Sequence, residues 1–319
     1  MRQEYELIEH GIIADFRVFI VNMKYRGPHM HSDFEICIVL DGEVTVSSDD
    51  ETGTFHAGSF YIINPYSMHE LKAAESAVLL SIQIKKNFCT GYYPGINELG
   101  FEFCEGNKYM DAGENAGFIR KAVTLSKHYF LCDKGFEFIC TGLLNELMYV
   151  MINRLPYVIY SQDEKKRLQG KYRRVQKITE YINGHYTEKI LLGDIAAAEG
   201  LTLTYLSHFF NNAFHMSFQQ YVAILRCEKA RQILLQTDHN LLDISMEAGF
   251  SDVKYLNKEF IRQYGCHPRE YRKKAVLQDI PEQKQTFLTA QKVYGSGEAL
   301  AMLDKMYPEI KVCGDIGGG

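Results

Sequence analysis

One plan occurs twice between residues 192 and 265, and it limits this stretch to a compact helical fold. The first copy reads as a short helix over Leu192–Glu199, a tight turn at Gly200-Leu201 and a longer helix over Leu203–Ala213, with Thr202 as its N-cap. The second reads as Leu242–Ala248, a turn at Gly249-Phe250, and a helix that restarts after Ser251, runs to Tyr264 and is stopped by Gly265. Between them Ser217-Phe218-Gln219-Gln220 forms a capping box. The helix it opens runs to about Gln236, with Tyr221, Val222, Leu225, Ala230, Ile233 and Leu234 on one apolar face. Such a spacer holds the two copies at a fixed separation. That suits two second helices lying in successive major grooves of a duplex, one helical turn (~34 Å) apart.

The constellation Ile195-Ala196, Tyr205-Leu206-Ser207, Phe210, Ser217-Phe218, Tyr221, Arg226, Ala230 and Leu234-Leu235 resembles the DNA-binding domain of the AraC family. It continues through Ile244, Gly249-Phe250-Ser251-Asp252, Tyr255, Phe260, Gly265, Pro268 and Tyr271-Arg272, about a hundred residues in all. The chain departs from the family pattern at His215, Ser245, Leu256 and His267, where Gly, Ala, Phe and Ser are usual. Base contact needs polar side chains on the outer face of each second helix, and the resemblance selects nearly the same faces. These are Thr204, Ser207, His208 and Asn211 in the first copy and Val253, Lys254, Asn257 and Lys258 in the second. Arg262, Arg272 and Lys273 are expected on phosphates. The first face has no Lys or Arg, so its contacts are expected to be weaker or more dependent on DNA shape.

Charge is distributed to match. Residues 171–274 hold 15 Lys and Arg against 11 Asp and Glu, a net of +4, whereas the whole chain carries −5. The rest is therefore an acidic body of net −9.

Residues 15–85 follow a different period. Phe16–Met23, Phe34–Leu40, Glu43–Ser47, Ser59–Asn64 and Val78–Ile84 are β-branched or aromatic runs separated by turn signals such as Asp41-Gly42 and Asn64-Pro65. They predict a small barrel or sandwich. His29-Met30-His31, Glu35, Gly42, Gly58, Pro65 and His69 resemble the cupin signature. That resemblance implies His29, His31, Glu35 and His69 converging inside a β-barrel. Two readings follow: an effector site without metal, with Tyr61, Phe16 or Phe34 stacking on the ligand, or a transition-metal centre of three imidazoles and a carboxylate. The AraC-like segment favours the first, with a sugar or other small polar metabolite as effector and no cofactor.

Ala116–Leu131 and Phe136–Leu155 predict two helices, the second with Phe136, Cys140, Leu143, Leu147 and Val150 in one stripe that suits a core or a dimer seam. Ser161–Lys171 is charged and reads as a linker, and residues 276–319 as a loose appendage. The expected organisation is thus multidomain β + α. A cupin-like barrel (1–90), a helical dimerisation segment (91–160), a linker (161–171), an all-α double helix-turn-helix (172–275) and a tail (276–319) follow in order.

No leader-like or membrane-length apolar run is present, and eight cysteines lie scattered without a C-x-x-C pair, so a reducing cytoplasm is expected. No nucleophile triad, phosphate loop or dinucleotide fingerprint points to catalysis. The expectation is a non-enzymatic, ligand-responsive regulator whose partners are double-stranded DNA, a small effector, a second copy of itself and, for an activator, RNA polymerase. A metal-dependent cupin enzyme and a constitutive architectural DNA-binding protein are the alternatives.

Overall fold

A computed structural model of the chain describes residues 12–214, 216–278, 285–286 and 289–312. His215 therefore lies outside the described residues. Two compact units emerge, one from residues 12–26, 30–172 and 291–312, the other chiefly from 173–278.

The first unit begins with β1 (Phe16–His29), β2 (Asp33–Asp41), β3 (Glu43–Ser48), β4 (Glu51–His56), β5 (Phe60–Ile63) and β6 (His69–Lys85). β6 is long enough to serve three neighbours: Lys72–His69 pair with Thr45–Ser48 of β3, Val78–Lys85 pair with β2, and β1 lies beside it as well. The sheet rolls around an interior of Val21, Met23, Val39, Val44, Val46, Phe55, Ile63, Leu71 and Leu79. Strand alternation sorts β2 between two environments. Glu35, Cys37 and Val39 share one face, while Phe34, Ile36, Ile38 and Leu40 join the core formed with the helices. Each such fully buried Ile, Leu or Phe contributes about 1.5–3 kcal/mol.

After a short β7 (Leu99–Phe101) come α1 (Ala112–Leu131) and α2 (Phe136–Arg154). Asp111 and Glu114 form a reciprocal capping box at the start of α1, and left-handed Cys132 stops it. The stripe on α2 is buried, along Phe136, Cys140, Leu144, Leu147 and Met151, with Leu143 and Val150 at its half-buried margin. β8 (Tyr157–Ile159) pairs with β7.

Two expectations change here. The charged stretch 161–171 is helical, because α3 (Gln162–His185) starts there with Ser161 and Glu164 bonded as a cap. The tail is not a loose appendage in its described part: after the helices of the second unit and β9 (Gln285–Thr286), β10 (Thr289–Val293) joins β1 and α10 (Ser296–Met306) packs on α1. Lys127 of α1, 1% exposed, explains the docking. Its ammonium donates to Tyr307 O (3.0 Å) and Ile310 O (2.6 Å) and pairs with Asp304 (2.9 Å). A buried ammonium is stable only with such partners, and the sequence pattern of the tail alone does not reveal them.

In the second unit α3 is followed by α4 (Leu192–Ala198), α5 (Leu203–Phe214), α6 (Phe218–Gln236), α7 (Leu241–Glu247), α8 (Val253–Tyr264) and α9 (Pro268–Gln278). The boundaries fall within a residue of those expected. Ser217 and Gln220 make the anticipated capping box, and Asp252 caps α8, accepting from Tyr255 N at 2.7 Å. α6 serves both halves. Tyr221 packs with Phe210 and Phe214 on one side, and Cys227, Ala230, Ile233 and Leu234 join Ile244, Leu256 and Phe260 on the other. Arg226 donates to Tyr186 O and Glu188 O, tying α6 to the turn after α3.

Candidate functional site

The two second helices present the anticipated faces. On α5, Thr204, His208 and Asn211 are exposed and Ser207 is half-buried; on α8, Lys254, Lys258 and Arg262 are exposed, and Val253 and Asn257 half-buried. Leu206 and Phe210 bury the opposite face of α5, as Leu256 and Phe260 do for α8. The Oδ1 of Asn257 is enclosed without a hydrogen-bond partner, an acceptor left unspent within the protein.

The cations divide by what holds them. Arg262 lies 2.7 Å from the buried Glu259 carboxylate, which aims it while leaving most of its donors free. Arg272, expected on phosphate, is instead committed internally: it donates to Leu234 O, Thr237 O and His239 O and so caps the end of α6. The sequence could not separate these fates, since both residues read as exposed arginines on a helix.

In the rolled sheet His31, Glu35 and His69 come together, with one ligand-capable atom from each lying within 4.8 Å of the others. His29 is not in that set. β1 ends at His29, so the two-residue alternation that would have aligned it with His31 does not continue. His31 Nδ1 donates to Asp33 O (2.9 Å) and His69 Nδ1 to Ser67 O (3.0 Å), because a carbonyl can only accept. His31 Nε2 sits 2.9 Å from Glu35 Oε2. Burial pushes the Glu35 carboxyl up, but the His31 hydrogen bond and the charges of His31 and His69 outweigh it and hold the group at about 2. Burial, reinforced by His31, brings His69 down to about 4.

Cross-strand register enlarges the chamber beyond the residues found in sequence. Glu35 pairs with Gln83 and Cys37 with Ser81 across β2 and β6, while Cys37 pairs with Tyr61 of β5. Cys37 Sγ donates to Glu35 Oε1 at 3.3 Å and Gln83 Nε2 to Glu35 Oε2 at 3.3 Å. The Tyr61 hydroxyl lies against the Cys37 thiol without a well-formed hydrogen bond, and Gln83 Oε1 has no partner. Burial raises both the Cys37 and Tyr61 groups well above their ordinary values, so both are protonated. Phe16 and Phe34 face the helices, which leaves Tyr61 as the aromatic side chain of the three that lines the chamber. Register between distant strands carried this information, and no local motif did.

A rolled sheet with a buried polar chamber, joined in one chain to paired helix-turn-helix units, defines a two-domain DNA-binding regulator. Residues 20–84 match the AraC-like ligand binding domain and residues 195–274 a helix-turn-helix domain. The HTH-type transcriptional regulator ExsA of Pseudomonas aeruginosa is 31% identical over 262 residues, covering 79% of this chain and 90% of that protein. The chain belongs to the AraC family of helix-turn-helix transcription regulators. An uncharacterized HTH-type transcriptional regulator of Staphylococcus aureus is 20% identical over 86% of this chain, which spans about a third (35%) of that longer relative. Among solved structures, apo ToxT from Vibrio cholerae aligns over 82% of this chain and 97% of its own, with 14% identity and a TM-score of 0.40. Among the described residues no helix is long and apolar enough to cross a membrane.

Proposed function

We propose that the chain is a sequence-specific, non-enzymatic transcription regulator whose affinity for DNA responds to a small molecule held in the rolled sheet. The observation that carries this reading is the exposed polar face on α5 and α8 together with the enclosed set Glu35, Tyr61, His69 and Gln83. The unspent Tyr61 hydroxyl and Gln83 Oε1 suit an effector that offers hydroxyls, such as a sugar or similar polar metabolite. Thr204, Ser207, His208 and Asn211, then Val253, Lys254, Asn257 and Lys258, are the residues proposed to read bases. Arg262 is proposed on phosphate.

Coupling has a physical route. Tyr66, in the left-handed region at φ +69°, donates its N–H to His31 O and packs its ring, tilted, against that of Tyr172, while Lys171 pairs with Asp49. Both contacts fall on the N-terminal half of α3, within the rolled-sheet unit. An effector that favours one arrangement of the chamber would bias α3 through them. Self-association would use α2, whose Phe138 (85% exposed) and Tyr149 (69%) stand on its solvent side. Sedimentation as a monomer at micromolar concentration would remove that part of the reading. RNA polymerase is the further partner if the outcome is activation.

Hydroxyl-radical footprinting on the upstream region of the chain's own gene tests the reading. Two protected patches one helical turn (~10 base pairs) apart are expected. Protection no different from that of unrelated DNA would oppose it.

A second reading rests on the His31–Glu35–His69 set. An imidazole nitrogen and a carboxylate 2.9 Å apart need a cation between them, either a proton or a metal ion. Two imidazoles and a carboxylate whose ligand atoms lie within 4.8 Å of one another fit a divalent first-row transition metal, which would serve as the sensed ligand. Stoichiometric metal in purified protein, lost in His69→Ala, is the expected result under this reading; metal-free protein that still regulates would dismiss it.

A further inference from the structure

The first helix-turn-helix has a cation after all, and it comes from outside the motif. Arg174 of α3 lies over two rings of α5, its guanidinium carbon 5.4 Å from the Tyr205 centroid and 5.1 Å from that of Phe209. The rings are near-parallel, 20° apart. Arg174 Nη1 donates to the Tyr205 hydroxyl at 2.8 Å, and among the described residues no carboxylate pairs with it. Four other cations of this unit are committed within the protein: Lys177 to Glu199, Arg226 to the Tyr186 and Glu188 carbonyls, Arg231 to Glu228, and Arg272 to the end of α6.

We propose that Arg174 is the DNA-phosphate contact of the first helix-turn-helix, delivered from α3 and aimed by Tyr205 and Phe209. Tyr205 is the third residue of α5 and is 46% exposed, so it stands at the helix end that enters the groove and meets the flanking backbone. A guanidinium held over two aromatic rings and anchored through one N–H keeps its remaining donors for another partner. It has five, and one is used. The planar fork matches a phosphate, and the stacking removes much of the rotamer freedom that binding would otherwise cost. The neutral face of Thr204, Ser207, His208 and Asn211 is thereby supplied with the positive charge its own helix lacks.

The test uses the full chain and a random-sequence duplex of about 30 base pairs, with affinity followed from about 50 to 200 mM salt. Arg174→Met keeps a long side chain over the rings and removes the charge; Arg174→Lys keeps the charge. Arg174→Met is expected to bind about tenfold more weakly, equivalent to about 1.4 kcal/mol, with a log–log salt slope shallower by about 0.9, the signature of one lost phosphate contact. Arg174→Lys is expected to restore the slope. An Arg174→Met slope equal to that of the parent, whatever its affinity, would make Arg174 a packing residue and overturn the proposal. So would a failure of Arg174→Lys to restore the slope.

Discussion

Gly249→Ala is expected to lower the unfolding midpoint of the DNA-binding unit by about 10–20 °C, while Gly200→Ala lowers it by only about 5–10 °C. Both glycines occupy the turn of a helix-turn-helix in the left-handed region, at φ +87° and +65°. A side chain in that region costs about 1–2 kcal/mol at either site. The surroundings then separate them. A Cβ on Gly249 would sit 2.6 Å from both Cα and O of Thr187, in the turn after α3, whereas a Cβ on Gly200 meets nothing within 4 Å. Backbone cannot yield as a flexible side chain does, so overpacking adds about 1–3 kcal/mol at Gly249 alone. Against the ~5–10 kcal/mol that stabilises a unit of this size, that is a large share. The unfolding transition of the rolled-sheet unit is an internal control and should not move. Equal midpoints for the two variants would show that the close approach to Thr187 does not set the second turn.

The sequence was most legible where structure is local. The Ser217–Gln220 capping box, the glycine stops and the alternation in β2 are written within a few residues of one another, and each element lies where those residues indicated. What was not legible depends on residues far apart. Gln83 and Ser81 enter the chamber through the β2–β6 register, and Arg174 reaches α5 across 31 positions of chain. Arg272 looked like a phosphate contact because nothing near it in sequence announces the three carbonyls it caps. His29 failed by a smaller margin, as the strand ends there and breaks the period on which its alignment with His31 depended. The stretch 161–171 misled for another reason: lack of apolar residues indicates exposure, and an exposed, well-capped helix satisfies that as fully as a linker does.

The central claim, sequence-specific reading of DNA with α8 as a recognition helix, is tested most directly by equilibrium binding to a duplex from the chain's own upstream region. Parent protein, Asn257→Ala and Lys258→Ala are measured together at several salt concentrations. Asn257 is half-buried on α8 and brings an amide suited to adenine. Its loss should cost about 1–3 kcal/mol, a five- to hundredfold drop against this duplex, with little change against random DNA. Lys258 is exposed on the same helix, and its removal should weaken binding and make the salt dependence shallower. Binding tighter than to random duplex, steep in salt and weakened by both substitutions is the predicted result. Binding no tighter than to random duplex, with and without candidate effectors and indifferent to both changes, would contradict it.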